Sequence, residues 1–312
     1  MVETAIDIPK TLDALPSRAK APNSCRALDT WIAAAEREAG ISGGGRMGWL
    51  VASTVVSAKL QQVLDESGRS RFMLKGGTLL QYRLGASFRA TKDIDGVARG
   101  DLDSFIAEMD KALQEPWGTL MFSRTPVETV DVPEKQINPL RFYIILSIAG
   151  KTWRRVQVEI CADEGVSGTP SEPVSPPSLA YFGLPTPDTL VGISMAYQYA
   201  QKLHGATMEH RPPEQPNERA RDLVDLVLIS RLIGLSGSPS LDEVAFAIGN
   251  VYESRAKEAR ILGLPGRAAP SSIESFPHWQ KDFQRAAESA GLDLSLQEAV
   301  DEVNRFLSIL PR

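Results

Sequence analysis

Two hydrophobic periods run along the chain: helices and strands are mixed in the first half, and helices predominate in the second. Apolar residues recur at helical spacing in some segments and alternate with polar residues in others, which are the signatures of amphipathic helices and of half-buried strands. The helices predicted in this way span 24–39, 46–66, 78–84, 101–115, 241–262, 277–290 and 296–309. The predicted strands span 71–74, 142–148 and 154–161, and a further short strand holds Asp93 and Asp95.

A segment rich in Pro, Ser and Gly at 164–187 is the clearest domain boundary. Thr186-Pro187 then predicts the start of a helix, because Thr caps helix N-termini and Pro fits the first turn. We therefore predict an α+β fold, a mixed sheet with helices, followed by an α-helical domain. The predicted domains are 1–165, which includes N-terminal helices, and 186–312, joined by a linker at 166–185.

The most distinctive local pattern is Lys75-Gly76-Gly77-Thr78, where an apolar strand turns into a helix. Glycine allows positive φ and close approach of a ligand to the backbone. A helix that begins directly after such a turn directs N–H groups and the positive end of its dipole at the ligand, which favours phosphate. We predict that Gly76, Gly77 and the Thr78 hydroxyl bind the phosphates of a nucleotide. The alternative is that the glycine pair forms an ordinary tight turn.

Two carboxylates, Asp93 and Asp95, follow in a second short apolar stretch. Residues two apart in a strand point to the same face, with Cα atoms roughly 6.5–7 Å apart. Such a pair can share one or two Mg²⁺ ions, which prefer carboxylate, water and phosphate oxygen. Taken alone, an Asp-x-Asp pair is usually a solvated strand end. It is the order of strand, Gly-Gly-Thr turn, helix and acidic pair that favours a metal site.

A third acid is expected on a neighbouring strand. The segment 156–161 alternates apolar and polar residues, and Glu159 lies between Val158 and Ile160. Beside the aspartates, Glu159 could act as general base for an incoming hydroxyl. Considered alone, it is more simply interpreted as an exposed strand residue.

Composition narrows the class of protein. With 312 residues, 43% of them hydrophobic, the chain can bury one large core or two modest ones. No early charged-then-apolar leader and no apolar run of the ~20 residues that a membrane span needs are present, so we expect a cytoplasmic protein with no membrane partner. Cys25 and Cys161 are expected to be reduced packing residues, and the three histidines have no metal-binding spacing.

The formal net charge of −5 argues against a general nucleic-acid coat protein. RNA remains compatible as a substrate, because many basic residues lie near the motifs. They are Lys75, Arg83, Arg89, Lys92, Arg154, Arg155, Lys202, Arg211, Arg219 and Arg221. These residues can form a local basic cleft, or they can be solvated charges balanced by acids, and the sequence favours neither interpretation.

The motifs together resemble the AbiEii/AbiGii (MenT-like) nucleotidyltransferase toxins of the DNA-polymerase-β-like superfamily. The resemblance is carried by 74–80 (Leu-Lys-Gly-Gly-Thr-Leu-Leu), by 89–95 (Arg-Ala-Thr-Lys-Asp-Ile-Asp) and by two later segments. Residues 197–203 resemble the family helix that carries a lysine, here Lys202. Residues 219–226 resemble the Arg-x-Lys/Arg-Asp-x-x-Asp-Leu motif, in which Asp222 is the essential aspartate. Without the resemblance, Asp222 and Asp225 would be interpreted as a solvated helix face.

The resemblance implies a nucleotidyltransferase core and a set of site residues. Gly77 and Thr78 stand at the Gly-Ser/Thr positions, Asp93 and Asp95 at the metal aspartates, Lys202 at the lysine that contacts nucleotide phosphates and Asp222 at the later aspartate. Thr replaces the Ser of many relatives and keeps the hydroxyl, and Gly96 replaces the usual Leu. The implied cofactor is Mg²⁺, with Mn²⁺ as the alternative, and the implied substrate is a nucleoside triphosphate (NTP).

The family pairs toxins with antitoxins in type IV toxin–antitoxin and abortive infection systems. By resemblance we expect transfer of NMP to an RNA acceptor, the 3′ end of tRNA, which would block translation, and a cognate antitoxin as genetic partner. Two alternatives stay open. One is adenylylation of a protein or small molecule. The other is a nucleotide-binding regulator without turnover.

Overall fold

The computed structural model describes residues 12–40, 45–84, 91–132, 135–163 and 170–311. Arg89 of the 89–95 motif, and residues 166–169 of the predicted linker, lie outside these ranges. The described part contains a mixed sheet and two groups of helices, which confirms the predicted fold class. In the described ranges, none of the helices has the length and apolar content to cross a membrane.

Two helices precede the first strand, two more lie between strands, and five helices follow the last strand of the described part. The strands are β1 Phe72–Lys75, β2 Asp93–Ala98, β3 Met121–Arg124, β4 Glu128–Thr129, β5 Leu140–Ile148, β6 Lys151–Ala162, β7 Ser171–Val174 and β8 Leu190–Ile193. The helices are α1 Cys25–Glu38, α2 Arg46–Leu60, α3 Gly76–Leu84, α4 Leu102–Ala112, α5 Met195–Ala206, α6 Ala220–Ser236, α7 Leu241–Ile261, α8 Gln280–Ser289 and α9 Leu296–Ile309.

The sheet has the strand order β3-β5-β6-β2-β1-β8-β7, and β4 pairs with β5. β2 runs parallel to β6 and antiparallel to β1, and β1 runs parallel to β8. The two-residue period of these strands separates an apolar face from a polar face. On the apolar face Phe72 stacks on Phe105 of α4 at 6.1 Å. Gly96 makes that packing possible, because a Cβ there would lie 2.0 Å from the Phe72 ring.

The helices after β8 form their own core. α5 packs against α6 and α7, and α6 also packs against α8 and α9. Tyr199 of α5 contacts Phe306 of α9 with ring centroids 5.1 Å apart. Capping boxes at Ser240 and Ser295 satisfy the first N–H groups of α7 and α9, as helix ends require.

The helix predicted to start at Thr186-Pro187 is wrong. Residues Leu190–Ile193 form strand β8, and α5 begins at Met195, where the Ser194 hydroxyl accepts from Tyr197 N. The reason is a non-local pairing: β8 adds to the sheet beside β1, with Leu74 opposite Gly192. A Cβ at Gly192 would lie 2.3 Å from Leu79 Cδ1, so the missing side chain lets α3 pack closely on β8.

The chain divides into two compact units. The first comprises Met1–Val132, Ile137–Asp163 and Ser171–Gly192, and the second comprises Pro133–Gln136, Glu164–Pro170 and Ile193–Arg312. Residues 171–185 of the predicted linker therefore belong to the first unit, where Ser171–Val174 forms β7. The linker prediction missed this strand because its Pro- and Ser-rich composition is typical of loops.

Candidate active site on the polar face of the sheet

The predicted phosphate-binding turn joins β1 to α3 without an intervening loop. Gly76 has φ +63°, a left-handed conformation that favours glycine. A Cβ at this position would lie 2.2 Å from Asp95 Oδ2 and 2.9 Å from Asp95 Cγ. Gly76 is therefore required twice, for its backbone conformation and for the space that the Asp95 carboxylate occupies.

Thr78 connects the start of α3 to the acidic strand. Its hydroxyl donates to the carbonyl oxygen of Asp93 at 2.7 Å, and its side chain is fully buried. The Thr78 hydroxyl, which we predict to bind phosphate, therefore donates its hydrogen bond to the backbone of β2 in this structure. The contact fixes the distance between the Gly76-Gly77 turn and the first metal-site candidate.

The three predicted acids lie together on the polar face. Asp93 and Asp95 are both half-buried, and Ile94 between them points into the core. β6 runs beside β2 in a register that puts Glu159 opposite Asp95 and Gln157 opposite Asp93. The Thr91 hydroxyl donates to Asp93 Oδ1 at 3.2 Å. Glu159, in the alternating segment 156–161, thus lies beside the aspartates on a neighbouring strand, as its sequence pattern predicts.

Two basic residues flank these acids on the same face: Lys75, which is one of the residues of the possible basic cleft, and Arg141, to which the sequence patterns did not point. Arg141 of β5 donates through Nε and Nη2 to Glu159 Oε2, at 3.1 and 2.9 Å. This contact raises the pKa of the Arg141 guanidinium. On the other side, Lys75 lies opposite Asp95 in the β1–β2 ladder, and its Nζ lies 3.0 Å from Cys161 Sγ. Only the strand register shows that these bases and acids are neighbours.

In the second unit, Lys202 is held by two aspartates. Its Nζ lies 2.7 Å from Asp222 Oδ1 and 2.7 Å from Asp225 Oδ2. The three side chains are 13%, 10% and 0% exposed respectively, so the interpretation of the aspartates as a solvated helix face is wrong. Arg219 adds a more distant contact, 3.7 Å from Asp222 Oδ2. The cluster ties α5 to α6, and it occupies Lys202 with carboxylates in this structure.

His204, two residues after Lys202 in α5, is held as a neutral imidazole. Arg267 Nη2 lies 2.8 Å from His204 Nε2, and Tyr252 packs on the ring at a centroid distance of 4.9 Å. Burial lowers the pKa of His204 to about 3, and the charges of Arg267 and Arg255 add to the effect. An imidazole with this pKa is uncharged at neutral pH, and in the second unit His204 packs against Tyr252 and contacts Arg267.

The cysteines, the other two histidines and several of the basic residues near the motifs make contacts that are typical of structural residues. Cys25 and Cys161 are free thiols. His210 and His278 stack at 4.4 Å and bind the backbone N–H and C=O of Asn217. Several of the basic residues near the motifs contact carboxylates: Arg83 with Glu172, Arg154 with Asp29, Arg211 with Glu209 and Arg219 with Asp222.

Comparison with known proteins decides the family. The family model described as "Nucleotidyl transferase AbiEii toxin, Type IV TA system" matches residues 60–305. The chain belongs to this family. The match confirms the resemblance identified from the motifs, and it extends through the helices of the second unit.

Two solved structures are similar to the chain at low sequence identity. A protein from H. pylori described as a nucleotidyltransferase is 11% identical with a TM-score of 0.44, and the match covers 84% of this chain and 93% of that one. MenT4, a nucleotidyltransferase toxin from Mycobacterium tuberculosis H37Rv, is 19% identical with a TM-score of 0.43, and the match covers 84% and 94%. No curated protein matches the chain.

As an AbiEii-family protein, the chain is a nucleotidyltransferase toxin of a type IV toxin–antitoxin system. Membership implies an NTP as substrate, a divalent metal ion and a cognate antitoxin. The AbiEii match also covers every residue that the sequence analysis assigned to the site, from Gly76 to Asp222.

The residues on the polar face fit a divalent ion of the family's kind. Mg²⁺ is commonly bound through one or two carboxylates, with water and substrate phosphates completing its shell, and Asp93 and Asp95 supply two carboxylates on one face. Within the described ranges, no group of three or more His, Cys, Asp or Glu side chains is arranged to hold a metal ion. Glu159 instead contacts Arg141. Water and the phosphates of a bound nucleotide would therefore have to supply the remaining ligands.

Proposed function

We propose that the chain transfers a nucleoside monophosphate from an NTP to an RNA acceptor, the 3′ end of tRNA, in a Mg²⁺-dependent reaction in the cytoplasm. A tRNA whose 3′ end has been extended cannot be aminoacylated, so translation would stop. The cognate antitoxin of the system would restrain this activity.

The observation that carries the proposal is the register of β2 and β6. It pairs Asp95 with Glu159, directly beside a Gly76 turn whose missing side chain accommodates the Asp95 carboxylate. The turn that we predict to bind phosphate, the two aspartates that we predict to bind metal and the candidate base thus lie along neighbouring strands of one sheet. This order supports nucleotidyl transfer, because the reaction needs phosphate, metal and hydroxyl to meet at one phosphorus atom.

Each residue has a defined part in the proposed reaction. Asp93 and Asp95 would hold Mg²⁺, which neutralises charge on the triphosphate and on the leaving pyrophosphate when bound. Gly76 and Gly77 would present backbone N–H groups to the phosphates, next to Thr78. Glu159 would accept the proton of the acceptor hydroxyl, whose oxygen forms a bond to the α-phosphorus. The bond from that phosphorus to the bridging oxygen breaks, and pyrophosphate leaves with the electron pair.

Lys202 and Asp222 complete the proposed set. Lys202 would neutralise phosphate charge, and Asp222 would orient its ammonium group. The 2.7 Å contact supports the orienting part of this proposal. The second carboxylate on the lysine, from Asp225, means that a phosphate would have to compete with two anions.

The test is transfer of each of the four α-labelled NTPs, with Mg²⁺, to total tRNA by the wild-type protein and by Asp93→Ala. Label on tRNA that disappears in Asp93→Ala, with an unchanged melting temperature, supports the proposal and identifies the nucleotide. Unlabelled tRNA together with labelled protein or drug would move the chain to the adenylylation alternative. Tight nucleotide binding with no transfer to any acceptor would identify a regulator.

A further inference from the structure

An aromatic residue and a guanidinium form a stacked pair on the polar face of the sheet, and the proposed reaction does not use them. Arg155 of β6 lies over the ring of Tyr143 of β5, with its Cζ 3.9 Å from the ring centroid. The Tyr143 hydroxyl donates to Gln157 Oε1 at 2.9 Å. Arg155 is exposed and Tyr143 is half-buried. We call these two residues the Tyr143–Arg155 pair.

The pair lies in register with the acidic strand. Tyr143 is opposite Gln157 in the β5–β6 ladder, and Gln157 is opposite Asp93 in the β6–β2 ladder. Since neighbouring strands are about 4.8 Å apart, Tyr143 and Asp93 are separated by roughly 10 Å across the sheet. This distance is on the scale of a single nucleotide, so a base stacked on the pair could extend its sugar hydroxyl toward the acids.

The strand order tells which substrate the pair faces. The Gly76-Gly77 turn follows β1, on one side of the acidic strand β2, and Glu159 lies on β6, on the other side. The triphosphate is proposed to bind at the turn, and the hydroxyl that attacks it must lie beside Glu159. β5, which carries Tyr143, is the next strand beyond β6. The pair is therefore on the acceptor side of the site.

The chemistry of the pair suits an unpaired RNA base. Proteins bind single-stranded RNA by stacking bases on aromatic rings or on guanidinium planes. The exposed Arg155 guanidinium carries positive charge for the adjacent phosphate and a planar surface for a base. Arg141 lies two residues before Tyr143 on β5 and brings a second guanidinium to the same face. The Arg141 charge is balanced by Glu159, so on a chain whose net charge is −5 it is the Arg155 charge that favours an RNA end.

We propose that the Tyr143–Arg155 pair binds the 3′-terminal base of the single-stranded acceptor RNA and positions its hydroxyl beside Glu159. This inference rests on the proposed function, because the pair's role is defined relative to the transfer reaction. The base stacks on the outer face of the guanidinium, and Tyr143 supports that guanidinium from the side of the sheet.

The first experiment measures steady-state transfer with Tyr143→Ala and Arg155→Ala. We expect the KM for tRNA to rise about tenfold in each variant, which is within the range of losses measured for single base–aromatic stacks, and the KM for NTP to change less than about twofold. Tyr143→Phe keeps the ring and loses the contact with Gln157, so its KM for tRNA should stay close to that of the wild-type protein. Arg285→Ala removes one exposed positive charge in α8 and serves as the matched charge control.

The outcomes separate this inference from the proposed function. If the wild-type protein labels tRNA and both alanine variants keep its KM for tRNA, the transfer reaction stands and the pair's role is overturned. A rise confined to the KM for NTP also overturns it, because the base on the pair would then belong to the NTP. An equal rise of the KM for tRNA in Arg285→Ala would show that the effect comes from the net charge of the protein, and it would likewise overturn the pair's role.

A binding measurement decides the case in which no RNA is labelled. Fluorescence anisotropy would compare a 5′-fluorescein single-stranded 10-mer RNA with a blunt RNA hairpin, without NTP. Tighter binding of the single strand, weakened about tenfold in Arg155→Ala, supports the pair as an RNA-end site. No preference for the single strand, or unchanged binding by Arg155→Ala, overturns it.

Discussion

Replacing Lys202 by Met tests whether the lysine is a structural tie, a phosphate ligand or both. The substitution keeps most of the side-chain length and removes a charge that lies 2.7 Å from each of two carboxylates. Exposed ion pairs contribute about 0–1 kcal/mol. This cluster is different, because its side chains are 13%, 10% and 0% exposed. Removing one partner of such a buried cluster costs about 3–5 kcal/mol.

The assay is urea unfolding followed by circular dichroism, with thermal unfolding beside it. Since 1 kcal/mol shifts the melting temperature of a domain of about 150–250 residues by about 2–4 °C, a loss of 3–5 kcal/mol corresponds to a decrease of roughly 6–20 °C. The triple variant Lys202→Met, Asp222→Asn, Asp225→Asn removes all three charges and should recover much of the lost stability, because no buried charge is left without its partner. A Lys202→Met protein within about 0.5 kcal/mol of the wild-type protein would refute the structural tie.

The same variants separate the two roles of the lysine. If the triple variant recovers both stability and nucleotidyl transfer, the cluster serves the fold alone. If it recovers stability and transfer stays absent, Lys202 is needed for the substrate phosphates as well. The comparison works because the triple variant removes the ion pairs without leaving the aspartate charges in place.

Three further substitutions or conditions give distinct results. Gly76→Ala should cost about 1–2 kcal/mol for its left-handed backbone and should reduce transfer more strongly, because the new Cβ would displace Asp95; normal transfer would contradict the placement of that acid. Thr78→Val should lower stability by about 1 kcal/mol through the lost hydrogen bond to Asp93 O, and Thr78→Ser should restore it. The lowered pKa of His204, about 3, means that the unfolded chain binds a proton below about pH 6.5 that the folded chain excludes. Stability should therefore be complete above pH 6.5 and fall by about 2 kcal/mol toward pH 5, and a His204→Gln variant should lose less over that range in urea unfolding.

Local sequence was sufficient for the part of the site that local geometry builds. The Gly76-Gly77 turn, the Asp93 and Asp95 pair and the alternating strand around Glu159 were predictable, because turn chemistry and the two-residue strand period depend only on neighbours in sequence. The placement of Glu159 opposite Asp95 agrees with the expectation that the third acid lies on a neighbouring strand. The catalytic roles themselves remain predictions.

Non-local pairing explains what the sequence did not reveal. β8 was mistaken for the first turns of a helix, because its pairing with β1 brings together residues more than a hundred positions apart. The contacts of Arg141 with Glu159 and of Arg155 with Tyr143 depend on the β5–β6 register. Asp225 gave no signal as a second partner of Lys202 beyond the three-residue spacing from Asp222.

Side chains alternate between the two faces of the sheet along β2. Because of this alternation, we expect point substitutions and single-residue deletions in β2 to inactivate the protein in different ways. Asp93 and Asp95 face one side of the sheet, and Ile94 and Gly96 face the other. A point change at either aspartate leaves this alternation intact, so under the proposed reaction the expected outcome is a folded but inactive toxin. Deletion of one residue from β2 would turn the acids into the core and Ile94 outward. Selection for survivors of the toxin should therefore yield two classes, full-length inactive protein from point changes and degraded protein from single-residue deletions.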